Sequence, residues 1–228
     1  MKPFSQLSAN ESIFGLIYYL LQLFVIPAIL IVINLMAAST FSEAALNTIM
    51  YAINFAAVLI IFRKFLLKDL RFFFRMPWHV IRWAGIGFLI YMAGNILVGI
   101  FVTAIDPNFA NINDASIMEM VQENYGLMTL STVLLVPIVE ECFYRVLLFR
   151  NIYDRSPWIA YLASMVIFSF VHVAPYIGTD SFGTLALCFV QYLPAGFALA
   201  FAYRRSGSIF ASVLIHMTVN QIGMLTMR

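Results

Sequence analysis

An all-α polytopic membrane protein is the fold class this chain predicts, and three observations carry the prediction. The 228 residues are 63% hydrophobic and only 11% charged, with 22 Phe and a mean hydropathy of +0.92. A soluble domain carries about a quarter charged residues. The apolar residues fall into seven runs, each near the ~20 residues that cross ~30 Å of hydrocarbon. The basic residues also alternate by side. With the N-terminus inside, Lys2, Arg63, Lys64, Lys68, Arg71, Arg75, Arg82, Arg145, Arg150, Arg155, Arg204 and Arg205 collect on the cytoplasmic side and Arg228 alone on the other. That bias follows the positive-inside rule and supports an odd number of spans, with the C-terminus outside. The outer connections are acidic, with Glu43, Asp106, Asp114, Glu119, Glu123 and Asp180.

The predicted spans are Ile13–Ala37, Ala45–Phe62, Val80–Ile105, Leu127–Phe149, Trp158–Tyr176, Phe182–Tyr203 and Ser208–Thr226. Met36-Ala37-Ala38-Ser39 resembles a leader cleavage site, but the apolar run before it exceeds the 7–15 residues of such a segment and is read as a spanning helix. Between spans two and three, Arg63–Trp78 mixes charges with Phe65, Phe72, Phe73 and Phe74, which predicts an amphipathic helix on the inner leaflet. The outer loop Asp106–Gly126 is polar. Asn111, Asn113 and Asp114 read as cap or turn residues and Ser116–Asn124 as a short helix, with no chemistry assigned to it. Cys142 and Cys188 both fall in spans and predict neither a disulfide framework nor a metal site. No repeat, phosphate-binding Gly loop or nucleic-acid patch is found. The chain reads as a single domain over residues 1–228, in which small residues such as Gly196 and Ala200 let helices approach closely.

The chemistry concentrates in the last hundred residues. The fourth span carries Glu140, Glu141 and Arg145, at roughly 2.5–3.5 kcal/mol for each mid-membrane charge. Glu141 and Arg145 are four apart, on one helix face, in the favourable order for an ion pair. Glu140 lies about 100° away around the axis and faces elsewhere, in the setting a general base needs. Pro137, about a turn earlier, removes a backbone donor and predicts a kink. The fifth span supplies His172 and the seventh His216 with Asn220, again four apart on one face. Hydrocarbon offers these groups no other partners, so three helices are expected to converge on one polar cavity. His79, at the membrane surface, is assigned no role. At 1.5 Å per residue Glu140, His216 and His172 lie roughly 15, 12 and 21 Å from the cytoplasmic helix ends, which predicts a site opening to the cytoplasmic side.

The order Glu140-Glu141-x-x-x-Arg145, then Phe168-x-x-x-His172, then His216-x-x-x-Asn220 resembles the CPBP intramembrane proteases, which include the type II CAAX prenyl endopeptidases and bacteriocin-processing or immunity proteins. The likeness covers about residues 127–226. It implies an eight-helix core, where seven spans are read here. It also implies Glu140 as the water-activating base, Glu141 and Arg145 as its companions, His172 as the histidine working with the base, and His216 with Asn220 as the pair completing the site or holding the oxyanion.

Two mechanisms fit. Glu140 and His172 activate a water directly while His216 and Asn220 polarise the scissile carbonyl. Alternatively, Glu140, His172 and His216 hold a Zn²⁺, although no HExxH motif is present. The metal-free reading, with no cofactor, is preferred. The expected activity is an intramembrane endopeptidase acting near the cytoplasmic side on a CAAX-type tail or a hydrophobic peptide precursor, in the cell membrane of a prokaryote. Its expected partners are the bilayer and a hydrophobic or lipidated peptide, without nucleic acid. A non-catalytic scaffold or immunity protein of the same family is the rival, and a proton-coupled transporter lacks the expected repeated halves.

Overall fold

In the computed structural model, residues 7–36 and 41–228 are described; Lys2 and the cleavage-like Ala37-Ala38-Ser39 lie outside them. Among the described residues there are nine helices and no strand, only an isolated bridge between Ile177 and Asp180. They are α1 (Ala9–Met36), α2 (Glu43–Ile61), α3 (Arg63–Arg75), α4 (Pro77–Ile105), α5 (Ile112–Glu123), α6 (residues 125–153), α7 (Pro157–Tyr176), α8 (Phe182–Ser206) and α9 (Ile209–Thr226). Six of these are long and apolar enough to cross a membrane: α1, α2, α4, α7, α8 and α9. The seventh expected span, Leu127–Phe149, lies within α6, a run broken in hydrogen-bond register by two π segments, Leu130–Leu135 and Cys142–Phe149.

The helix starts are written in the sequence. Ser8 and Glu11 form a capping box at α1, Ser42 caps α2, Asn111 caps α5, Ser181 caps α8, and Pro157 opens α7. Gly207, at φ 72°, ends α8 in the left-handed conformation and turns the chain into α9. The expected amphipathic segment is α3, which buries Phe65 and Asp69 and exposes Phe74. Asp69 accepts from the Ser208 hydroxyl at 2.8 Å and the Ile209 N–H at 2.9 Å, so α3 caps the start of α9. Burial pushes the Asp69 carboxyl up to about 6 against the opposing pull of those hydrogen bonds.

Lipid-facing apolar residues cover the outside, among them Phe14, Phe24, Ile60, Leu97 and Phe182. Polar groups inside the bundle find one another: Asn54, fully buried, accepts from the Tyr18 hydroxyl and donates to Gln22, clasping α1 to α2. Close packing of α7 on α8 depends on Gly196, where a Cβ would sit 2.6 Å from the Met165 Cα. A tight cluster including Phe62, Phe65, Phe143, Val146, Phe149 and Tyr203 fills the half of the bundle nearer the basic connections. Arg145 belongs to that interior and is fully buried, which removes it from the cytoplasmic loop charges counted above. His79 reaches the Ser206 carbonyl at 3.2 Å, and both cysteines are buried and free.

Candidate active site

The π segments of α6 place its charges. Val136 N–H bonds back to the Ser131 carbonyl, skipping Thr132, and Pro137, the next residue, has no N–H to give. The Thr132 carbonyl is thereby left without its usual backbone donor. Asn220 of α9 supplies one, its amide donating to the Thr132 oxygen at 2.7 Å. One of the two amide hydrogens is so engaged, and the other remains.

Further along α6, Glu141 and Arg145 form the expected pair, 2.9 Å between Oε2 and Nε, both fully buried. Arg145 also donates to the Ser164 hydroxyl at 2.7 Å, which in turn donates to the Gly196 carbonyl at 3.1 Å, and the guanidinium lies 5.0 Å from the Phe168 ring centre. The second Glu141 oxygen accepts from His216 Nδ1 at 3.1 Å. A carboxylate paired with Arg145 is an acceptor only, so Nδ1 carries the proton and Nε2 is turned outward. Nε2 stands 3.9 Å from Glu140 Oε2. Glu141 is thus more than the partner of Arg145: it fixes the tautomer of His216.

Glu140 points about a quarter-turn away, into a cavity of about 750 Å³ that also reaches His172, His216 and Asn220. The hydroxyls of Tyr19, Tyr51 and Tyr144 gather near its carboxylate. These tyrosines were not singled out from sequence; only their position on the apolar faces of α1, α2 and α6 could have marked them. His172 donates through Nδ1 to the Phe168 carbonyl at 2.7 Å, leaving Nε2 free, and its ring stacks on Tyr192 at 4.2 Å. The structure therefore brings His216, not His172, against Glu140, while His172 faces the same cavity from α7.

No wall residue of the cavity lies in α3, and its lining includes Asn111, Asn113 and Asp114 beside Gln191 and Tyr192. Phe143 and Tyr144, which follow Glu140 in α6, are both buried. The loop assigned no chemistry is also part of the wall. Asn111 donates to Gln191 at 2.7 Å and Asn113 to the Tyr192 hydroxyl at 3.0 Å, fastening α5 across the cavity end. Burial raises the Asp114 carboxyl above its ordinary range, opposed by a hydrogen bond from Tyr192. Among the described residues no group of three His, Cys, Asp or Glu side chains is placed to hold a metal ion.

The model of the family described as Type II CAAX prenyl endopeptidase Rce1-like matches residues 122–222, a stretch that contains Glu140, Glu141, Arg145, His172, His216 and Asn220. No curated protein and no solved structure matches the chain. Residues 122–222 are therefore similar to the CPBP/CAAX protease family, in a chain with six helices, among the described residues, that are long and apolar enough to cross a membrane.

Proposed function

We propose that this protein is an intramembrane endopeptidase in which Glu140 is the general base. The observation that carries the reading is the division of labour between adjacent carboxylates. Glu141 is consumed by Arg145 and His216, whereas Glu140 faces a cavity shared with His172, His216 and Asn220. Glu140 takes a proton from a water that His216 Nε2 orients, and the resulting hydroxide attacks the scissile carbonyl. The remaining Asn220 N–H is the donor for the developing oxyanion, with its amide plane fixed by the Thr132 carbonyl. The proton held by Glu140 then passes to the leaving amine, with His172 Nε2 as the second proton-bearing site of the cavity. Glu141 and Arg145 are positioning residues that act through His216. No step uses a metal, and a strong chelator is expected to leave turnover unchanged.

The test compares new peptide termini in membranes of cells producing the wild-type protein or Glu140→Gln, with insertion checked by detergent extraction. Termini present with wild type and absent with the variant support the reading. Identical termini with both would favour the scaffold reading, in which the protein acts by binding other membrane proteins.

A further inference from the structure

The cavity wall is drawn mostly from the helix halves remote from the basic connections, with Asn47 of α2, Asn111 and Asp114 at the start of α5 opposite Gln191, and Gly223 and Thr226 of α9. Toward the basic connections, beyond Phe143 and Tyr144, the buried ring cluster around Phe62 and Phe149 fills the bundle. No Lys or Arg lines any part of the cavity. The basic residues of α3 and of the connections after α6 and α8 sit at the other end of the helices. Lys and Arg in short connections are retained in the cytoplasm, so this part of the cavity lies toward the opposite face.

We infer that the site is entered from the non-cytoplasmic face, and that its substrate is the outward end of a membrane-anchored or exported peptide and not a lipidated cytoplasmic tail. The substrate class rests on the protease reading; the side of entry does not. A volume of about 750 Å³ lies within the roughly 300–1,000 Å³ of ligand sites, enough for a short extended segment. With Asp114 and Glu140 in the wall and no Lys or Arg beside them, the cavity favours neutral or basic segments over acidic ones.

Single cysteines test this in a chain whose Cys142 and Cys188, both buried, are replaced by Ala. Asn95→Cys and Val219→Cys report from the cavity wall, and Lys68→Cys reports from α3. Each is exposed to a membrane-impermeant maleimide in intact cells and in inside-out vesicles, with and without Glu140→Gln. Wall cysteines are expected to label at least tenfold faster in intact cells, Lys68→Cys only in inverted vesicles, and Glu140→Gln to change neither pattern. Wall labelling confined to inverted vesicles, or labelling only after denaturation, overturns the inference whether or not Glu140 is a base. Two wall positions guard against one variant misfolding. Glu140-dependent cleavages are further expected at the outward ends of their precursors, and clustering at cytoplasmic ends would contradict the substrate class.

Discussion

Glu141 and Glu140 are adjacent in the chain, yet they belong to two differently built halves of the bundle. On the Glu141 side the interior is dry. Arg145, Ser164, the Phe168 face and the Gly196 carbonyl form one connected set, packed over aromatic rings. On the Glu140 side the polar groups, from His172 and Asn220 up to Asn111 and Asp114, surround open space. The difference teaches how a membrane protein accommodates both kinds of charge: those that hold helices together neutralise one another locally, and those left over line a cavity. It also separates the effects of mutation, because loss on the dry side should appear as instability and loss on the cavity side as inactivity.

The largest effect is expected from Arg145→Met, which leaves Glu141 buried without its cation and should cost about 3–5 kcal/mol. Thermal unfolding in detergent would read it, and adding Glu141→Gln should restore part of the loss; equal stability for Arg145→Met and wild type would break the division. Asp69 comes next. Burial raises its carboxyl from an ordinary 3.8 to about 6, so the native state binds its proton more readily. The associated stability is fully present below pH ~4 and is lost as pH rises through about 6, a swing of roughly 2–3 kcal/mol. Asp69→Asn should flatten that part of the pH–stability curve relative to wild type. Ser164→Ala removes one donor–acceptor link of Arg145 and should cost about 1–3 kcal/mol. Smallest is Tyr192→Phe, which releases α5 from the cavity end; a change under about 1 kcal/mol is expected, with faster maleimide labelling of Val219→Cys as the more sensitive measure.

Most of the fold was legible because hydropathy and basic-residue spacing respond to the bilayer itself, and six of the expected spans recur with ends shifted by a few residues. The pair Glu141–Arg145 was legible because both lie on one helix face. His216 on Glu141 was not, since 75 residues separate them and only packing makes them neighbours. Pro137 pointed to a distortion in α6, yet the freed Thr132 carbonyl and its capture by Asn220 depend on hydrogen-bond register, which hydropathy does not record. The side from which the cavity is entered was not legible for a related reason: helical rise gives depth, and only the packing around Glu140 decides which end is closed.

The central claim is that Glu140 does chemistry while Glu141 holds structure, and Glu140→Gln measured against Glu141→Gln tests it most directly. Both variants are followed for thermal stability and for the membrane peptide termini that wild type generates. Glu140→Gln is expected to unfold within about 0.5 kcal/mol of wild type and to yield none of those termini, whereas Glu141→Gln is expected to lose about 3–5 kcal/mol. A fully active Glu140→Gln, or a Glu141→Gln as stable as wild type, would contradict the account.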